Sequence, residues 1–228
     1  RPTAIVGSTW LTKFRTAGVA ALASQYLRGK NNEIIGFIGA GEEARMHFEF
    51  LKLVMPEISR CQVSSRTEKT CNAFVKSLEE KYPDVIFVAC GNHYEDAVRD
   101  ANVVVTAISG QAPILQASWL NQAKFYIHVG GLEDEYAVAQ RASKIVCDEW
   151  EAVKHRGSQT LSRMYLQGLL RDEDIYAELV DILTGEKKGR EEEGEFIYFN
   201  SVGMAYVDVL LAQFVADNAS DHCMEVDL

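Results

Sequence analysis

The chain has 228 residues, of which 47% are hydrophobic and 25% charged, with sixteen glycines and four prolines. This composition is typical of a folded protein and excludes collagen-like, coiled-coil and disordered classes; at about 150 residues per domain, the length predicts one large domain or two modest ones. The 23 Lys and Arg stand against 33 Asp and Glu, a net charge of -10 with no basic cluster to offset it, so we expect neither nucleic acid nor a membrane surface as a partner.

Hydrophobic periodicity and chain breakers predict alternating helices and strands. In chain order the predicted elements are a helix over residues 12–27, a strand over 33–38, a helix over 45–54, a strand over 60–64, a helix over 68–81, a strand over 85–88, a helix over 94–100, strands over 102–107 and 125–129, a helix over 135–141, a strand over 144–147, helices over 155–167 and 175–183, a strand over 196–199 and a helix over 204–218. Because the strands are apolar on both faces, we expect a doubly wound, Rossmann-like α/β fold with a parallel sheet. The charged residues 186–195 predict a solvated loop, and residues 219–228 a loose tail.

The cysteines indicate the compartment. They are Cys61, Cys71, Cys90, Cys147 and Cys223. They form no CxxC pair and leave an odd one over, so the pattern favours neither a disulfide framework nor a metal site. No apolar run approaches the roughly 20 residues that span a bilayer, and the first residues form no signal segment, so we expect a cytoplasmic protein that binds no metal. Residues 1–9 have the character of the middle of a domain, which predicts a chain that begins inside a longer protein.

A glycine fingerprint follows the first predicted strand directly. It consists of Gly39, Ala40 and Gly41, with Glu42 and Ala44 at the start of the next helix. Gly39 permits a tight turn, Gly41 lets the backbone approach a pyrophosphate, and Ala44 still allows close helix packing. The free N–H groups at the start of the helix attract phosphate, so this strand, turn and helix predict a dinucleotide site rather than a turn without a ligand.

The end of the second predicted strand favours one cofactor. NAD-binding domains usually carry an acid there, which accepts hydrogen bonds from the ribose hydroxyls. This chain has Ser65, Arg66 and Thr67, with no acid before Glu68. Hydroxyl donors and a guanidinium fork suit a 2′-phosphate, so we expect NADP, with NAD as the alternative. The other interpretation of Arg66 is an exposed arginine that stacks on the adenine.

Four motifs carry a family resemblance. Residues 11–23 resemble the "RTAA.SALA" helix of the ornithine cyclodeaminase and mu-crystallin family, and residues 34–44 resemble its "GIIGAGxQA" segment. Residues 104–108 are similar to its "VVTAT" strand, and residues 199–205 with Asp208 to its closing "FDSxGxAxxD". The motifs occur in the family's order along essentially the whole chain, which makes them far more specific together than any one alone.

The resemblance implies an architecture. Family members are homodimers that combine a Rossmann domain with a dimerisation domain built from the N- and C-terminal portions. On this pattern, residues 1–15 are a remnant of the dimerisation and substrate domain, residues 16–155 form the Rossmann domain, and residues 156–228 return to the first domain and end in a tail. Roughly the first third of family members, which supplies a substrate-binding Arg and a Lys suited to proton transfer, has no counterpart in this chain.

The resemblance also implies site residues. Arg15 matches the arginine that binds the substrate carboxylate, although an isolated arginine can instead form a surface ion pair. The cofactor contacts implied by the family are Thr16 at the diphosphate, Thr106 and Ala107 along the cofactor, Val129, Gly130 and Gly131 under the nicotinamide, and Ser201 and Gly203 near its carboxamide. For Ala107 and Val129, a place in the sheet core is an equal alternative. His128 is expected to be a buried, hydrogen-bonded core histidine.

One position departs from the cyclodeaminases. They carry an Asp directly after the strand that corresponds to residues 125–131, where a carboxylate handles the amino groups of the substrate. This chain has Leu132 there, followed by Glu133 and Asp134. A small change of register brings one of these acids into the site as a catalytic group, but a charged turn is more often solvated.

Three functions remain open. The favoured one is an NADP-dependent oxidoreductase of amino-acid metabolism that reduces a C=N bond next to a carboxylate, as a ketimine reductase or amino-acid dehydrogenase. The second is an ammonia lyase of the ornithine cyclodeaminase type, which uses bound NAD catalytically. The third is a non-catalytic NADPH-binding protein. We expect the partners to be a small imino or amino acid and a second copy of the chain.

Overall fold

The computed structural model describes residues 4–110 and 112–219. Its strands are β1 (Ile34–Ile38), β2 (Arg60–Ser64), β3 (Ile86–Ala89), β4 (Val103–Thr106), β5 (Phe125–His128), β6 (Lys144–Cys147), β7 (Ala177–Glu178) and β8 (Ile197–Asn200). They form one sheet in the order β3-β2-β1-β4-β5-β8-β6-β7, and every pair is parallel. The predicted doubly wound α/β fold is therefore confirmed.

Helices cover both faces of the sheet. They are α1 (Ser8–Leu27), α2 (Glu42–Val54), α3 (Glu68–Leu78), α4 (Tyr94–Val98), α5 (Tyr136–Gln140), α6 (Trp150–His155), α7 (Thr160–Leu166), α8 (Leu179–Thr184) and α9 (Ala205–Asn218). Alternate residues of a strand point to opposite faces, and β4 shows this directly. Val103 and Val105 pack in a hydrophobic cluster with Phe48 of α2, whereas Val104 packs in a second cluster with Leu161 of α7.

The last strand lies in the middle of the sheet. β8 pairs with β5 on one side and with β6 on the other, so that His128, Asn200 and Cys147 are in register. The residues that follow these three positions are therefore neighbours at the carboxyl edge. In open parallel sheets this edge holds the ligand.

Several predicted bounds differ from the structure. The first helix begins at Ser8 rather than at residue 12. The predicted helix over 155–167 is divided into α6 and α7, because Gly157 between them has a left-handed φ of 73°. The predicted helix over 175–183 begins with β7, because Ala177 pairs with Val146 at the edge of the sheet before α8 starts.

Residues 186–195 form the predicted loop, most of which is exposed, and some of its side chains also contact the rest of the fold. Arg190 donates from Nη2 to the carbonyl oxygen of Lys124 at 2.6 Å and from Nε to that of Leu27 at 3.0 Å. Lys144, whose side chain is 7% exposed, pairs with Glu191 at 2.9 Å and Glu195 at 3.0 Å. This segment therefore ties the carboxyl end of α1 to the sheet, since a guanidinium supplies several donors to carbonyls that lack helical partners.

Some predictions fall on residues that the structure leaves out. Cys223 and nearly all of the predicted tail lie outside the described residues. Of the helices in the described ranges, none combines the length and the apolarity needed to cross a membrane. Within the same ranges no three His, Cys, Asp or Glu side chains come together in a way that could hold a metal ion.

Candidate cofactor and substrate site

The glycine turn after β1 has the geometry that a dinucleotide requires. Gly39 has a φ of 111°, and a Cβ atom there would lie 2.3 Å from the carbonyl oxygen of Ala107, so only glycine fits. Ala40 and Ala44 are buried, whereas a Cβ atom at Gly41 would meet nothing within 4 Å. The open space at Gly41 lies at the first turn of α2, whose N–H groups are suited to phosphate. The residues present therefore fit a pyrophosphate.

Acidic side chains surround this turn. Glu42 forms ion pairs with Lys13 at 3.7 Å and with Arg45. Burial raises the pKa of Glu43, and the guanidinium of Arg15 and the hydroxyl of Thr16 oppose that shift. Glu43 is not among the residues predicted from the sequence. An acid in the first turn stabilises a helix through its dipole, and here Lys13 offsets part of the negative charge that a phosphate would meet.

Thr16 is less free than its predicted role requires. It is buried on α1, and its hydroxyl donates to the backbone carbonyl of Thr12 at 2.8 Å. The hydroxyl oxygen still has acceptor capacity, but its proton is already in a helical hydrogen bond. A contact with a diphosphate therefore requires this proton to move from its carbonyl partner.

An exposed arginine follows the end of β2. Ser65 is buried, and its backbone N–H donates to the carbonyl of Gly91 at 2.8 Å. Thr67 is the N-cap of α3 and accepts from the backbone N–H of Thr70 at 3.3 Å. Arg66 between them is exposed, and its side chain forms no hydrogen bond or ion pair within residues 4–110 and 112–219. The fork is therefore available to an anionic ligand beside the positive end of an 11-residue helix.

Glu133 closes the edge between β4 and β5. Its side chain has no exposed surface, so the expectation that this acid is solvated was wrong. Oε2 accepts from the hydroxyl of Thr106 at 2.6 Å and from the backbone N–H groups of Gly130 at 2.8 Å and Val129 at 3.3 Å. Oε1 accepts from the N–H of Ile108 at 2.6 Å. The carboxylate thus occupies donors from both strand ends.

Gly130 lies against the carboxylate of Glu133. A Cβ atom on Gly130 would lie 2.4 Å from Oε1 of Glu133 and 2.4 Å from the carbonyl oxygen of Ile108. Gly131 accepts a hydrogen bond at its carbonyl from Nε2 of His128 at 2.7 Å. Val129 and Ala107 are half-buried and pack against the core cluster under α2. Because each of these residues is held by protein contacts, this turn forms a firm surface rather than a flexible loop.

Asp134 is also buried, in a cluster of aromatic and hydroxyl groups. Oδ1 accepts from the Thr160 hydroxyl at 2.6 Å and from the Tyr198 hydroxyl at 3.2 Å, and Nε2 of His128 lies 3.5 Å away. Oδ2 has no partner within the described ranges. Burial raises the pKa of Asp134 to about 6, against the effects of His128 and Thr160. The expectation of a solvated acid is wrong here too, because the turn packs beneath α7 instead of projecting into water.

The burial of both acids bears on their predicted catalytic role. Neither Glu133 nor Asp134 has exposed surface, and Leu132, at the position of the cyclodeaminase carboxylate, is 8% exposed. Glu133 accepts four hydrogen bonds from the protein itself, three at Oε2 and one at Oε1. In this arrangement the turn after β5 offers no carboxylate to a substrate, and a catalytic role for either acid stays a prediction.

The turn after β8 brings the first and last motifs together. Ser201 is buried, and its hydroxyl donates to Asp148 at 3.2 Å. Gly203 has a φ of 87°, and its Cα faces the Arg15 guanidinium. Arg15 donates from Nε to Asp208 of α9 at 2.9 Å. The predicted carboxylate-binding arginine therefore does have an ion-pair partner.

That ion pair leaves part of the arginine free. It uses only Nε, and within the part of the chain that the structure describes the two terminal nitrogens donate to no other group. The side chain is 15% exposed. A guanidinium held at one edge, with its terminal nitrogens unpaired, is suited to a bidentate interaction with a carboxylate.

Comparisons with known proteins agree with this geometry. The sequence model of the ornithine cyclodeaminase/mu-crystallin family matches residues 1–222. The chain belongs to this family.

Three relatives place it within the ornithine cyclodeaminase/mu-crystallin family. A Delta(1)-pyrroline-2-carboxylate reductase of Bacillus cereus is 31% identical over 228 residues, which cover 96% of this chain and 67% of the relative. The structure of the Thermococcus litoralis Delta(1)-pyrroline-2-carboxylate reductase in complex with NADH and L-proline has a TM-score of 0.87 at 25% identity, covering 97% of this chain and 68% of that one. An archaeal alanine dehydrogenase dimer with bound NAD has a TM-score of 0.85 at 28% identity, with the same coverage. The chain spans about two thirds of the length of the curated relatives it matches.

Proposed function

We propose that the chain is the nucleotide-binding part of an NADP-dependent oxidoreductase that reduces a C=N bond next to a carboxylate. The single observation that carries the proposal is the contrast at the carboxyl edge. There the two terminal nitrogens of Arg15 have no hydrogen-bond partner among the described residues, while the acids after β5 are enclosed by the protein. Relatives named as reductases and dehydrogenases support this reaction class over a lyase.

Different residues of such a site would bind the cofactor and the substrate. When bound, the nicotinamide cofactor supplies the hydride that reduces the carbon of the C=N bond. Gly39 and Gly41 would admit the diphosphate, and the turn at Val129 and Gly130, which Glu133 holds through hydrogen bonds, would hold the nicotinamide. Arg15 holds the substrate carboxylate through its terminal nitrogens, which fixes the C=N carbon relative to the cofactor.

We propose NADP rather than NAD because of the end of β2. The exposed Arg66, which has no partner in the part of the chain that the structure describes, lies next to the N-terminus of α3 and suits the nearly doubly charged 2′-phosphate. Relatives with solved complexes contain NADH or NAD, so NADP preference is the feature in which this chain would differ from them. NAD is the alternative.

The reaction is tested with the full-length protein and Δ1-pyrroline-2-carboxylate. We expect stoichiometric consumption of NADPH with formation of proline. Conversion of ornithine to proline and ammonia without net consumption of nicotinamide would establish the lyase instead. Tight NADPH binding without turnover on any imino or amino acid would establish a non-catalytic binding protein.

We also propose that the protein is a homodimer, with residues 1–15 and 156–228 contributing to a dimerisation domain. α9 has no buried residue, and its apolar residues Val209, Leu210 and Phe214 are each more than 60% exposed. An exposed apolar surface of this kind favours a protein partner. Light scattering of the full-length protein tests the assembly.

The four described cysteines are free, which supports a reducing, cytoplasmic location.

A further inference from the structure

Asp148 accepts hydrogen bonds from the backbone of the turn between β8 and α9. It directly follows β6, and the pairing of Cys147 with Asn200 places it beside that turn. Oδ2 accepts from the N–H of Gly203 at 2.8 Å, from the N–H of Val202 at 2.9 Å and from the hydroxyl of Ser201 at 3.2 Å. The side chain is 4% exposed. A buried carboxylate thus fixes the path of three consecutive residues.

The second oxygen of Asp148 completes the arrangement. Oδ1 accepts from the N–H of Glu149 at 2.9 Å and from that of Val202 at 3.0 Å. Burial raises the pKa of Asp148, and the hydrogen bonds from this turn oppose the shift. Since three backbone N–H groups converge on it, an acceptor-only group is required here: an amide would direct its own N–H groups at some of these donors.

The turn held by Asp148 lies against Arg15. A Cβ atom on Gly203 would be 2.2 Å from Nη1 of Arg15 and 2.9 Å from its Cζ and Nη2. The guanidinium therefore rests on the bare Cα of Gly203, where the left-handed φ of 87° also favours glycine. Asp208, five residues on, holds Nε from the other side at 2.9 Å.

We propose that Asp148 is a positioning residue for the substrate carboxylate: it fixes the turn at Ser201 to Gly203, and this turn sets the plane in which Arg15 presents its terminal nitrogens. The inference rests on the proposed function, in which Arg15 binds that carboxylate. Asp148 itself does not contact the substrate, because protein donors occupy both of its oxygens. Its contribution is to selectivity for carboxylate-bearing imines, since a bidentate interaction depends on the angle of the fork.

The test compares two imines that differ only in the carboxylate, Δ1-pyrroline-2-carboxylate and 1-pyrroline, on the full-length protein. Asp148→Asn should raise the KM for Δ1-pyrroline-2-carboxylate about tenfold or more and leave the kcat/KM for 1-pyrroline within about twofold. A second readout without turnover is the binding of pyrrole-2-carboxylate, a planar acid that is not reduced, which should weaken by the same factor.

Asp181→Asn is the matched control, because Asp181 also accepts from a backbone N–H, that of Glu178 at 2.9 Å, but lies in α8. It should leave the discrimination between the two imines unchanged. A merely structural role for Asp148 predicts equal losses on both imines, and that result would overturn the inference.

Arg15→Ala separates this inference from the proposed function. If Arg15→Ala keeps full discrimination, the carboxylate role of Arg15 fails, and the inference fails with it. If Arg15→Ala loses discrimination and Asp148→Asn keeps it, only the inference is wrong. In the Arg15→Ala background, Asp148→Asn should have no further effect on the carboxylate KM.

Gly203→Ala is the second variant, to be used if Asp148→Asn does not fold. The added methyl group would contact Arg15 directly, so discrimination between the two imines should again fall. The Asp148 carboxylate is still present in this variant to accept hydrogen bonds from the turn. Full discrimination by a folded Gly203→Ala protein would show that the turn does not set the position of Arg15.

Discussion

Two strand ends at the same edge of the sheet use charge in opposite ways. At the end of β2, Arg66 is exposed and has no partner in the described ranges of the chain. After β5, Glu133 has no exposed surface and accepts four hydrogen bonds. Both are charged residues just past a buried strand, so residue type does not separate them. At the first strand end a cation has no partner in the described ranges, whereas at the second the chain itself supplies a carboxyl group to the backbone donors.

The strand end at Glu133 should be more sensitive to substitution than the strand end at Arg66. Replacing Glu133 by Ala leaves the Thr106 hydroxyl and three backbone N–H groups without their acceptor. We expect the free energy of unfolding to fall by about 4 kcal/mol, since a buried donor that loses its partner keeps its full desolvation cost. Urea unfolding followed by circular dichroism measures the loss.

The exposed Glu186, which forms no hydrogen bond or ion pair within the described ranges, provides the control for Glu133. Glu186→Ala should change the unfolding free energy by less than about 0.5 kcal/mol. A loss below about 1 kcal/mol for Glu133→Ala would mean that the two strand ends do not depend on the buried carboxylate.

Asp134 sharpens the comparison, because it is as buried as Glu133 but has an oxygen without a partner. Its pKa is raised to about 6 in the folded protein, so the carboxyl group is protonated in both states at low pH and its contribution to stability is complete there. As the pH rises through the folded pKa, this contribution is lost. The loss between about pH 4 and pH 6 is on the order of 3 kcal/mol.

The measurement is the difference in unfolding free energy between the original protein and Asp134→Asn across this pH range. The Asn side chain still accepts from Thr160 and Tyr198 but does not titrate. The stability of the original protein should fall relative to the variant as the pH rises. A difference that does not change with pH would show that Asp134 titrates normally. A gain in the stability of the original protein relative to Asp134→Asn as the pH rises would show a lowered pKa.

Much of the fold follows from local patterns in the sequence. The strands are continuous apolar runs, and the glycine turn of Gly39 and Gly41 lies where strand, turn and helix adjoin. β7 and the break at Gly157 were missed, because a two-residue strand and a left-handed glycine leave no periodic signal. The placement of β8 between β5 and β6 also depends on tertiary pairing, which spacing along the chain does not encode.

The sequence motifs led to candidate site residues but not to the contacts that the buried acids make with the protein. The roles of Glu133 and Asp148 arise from backbone N–H groups that come from distant segments, and an acid in such a position looks like any charged turn residue. One signal was available for Asp148: it directly follows a buried strand, and the residues after parallel strands meet at the ligand-binding edge. The same rule applied to Glu43, at the start of α2, would have flagged its position beside the diphosphate turn.

Substitution of Arg66 at the end of β2 has the smallest expected effect on free energy. It is also the most direct test of the preference between NADPH and NADH. A charge-assisted fork from Arg66 to the 2′-phosphate should be worth about 1.5–3 kcal/mol, which is roughly tenfold to hundredfold tighter binding of NADPH than of NADH. Arg66→Asp should reverse this order, because the new carboxylate repels the phosphate and accepts hydrogen bonds from the ribose hydroxyls of NADH. Lys69→Glu, which changes the charge equally on the next exposed turn of α3, is the control and should shift the ratio far less, since exposed charges that do not touch the ligand are screened. Calorimetry of both cofactors on the three proteins decides the matter. A preference of the original protein for NADH, or equal shifts in the two variants, would mean that Arg66 does not hold the phosphate.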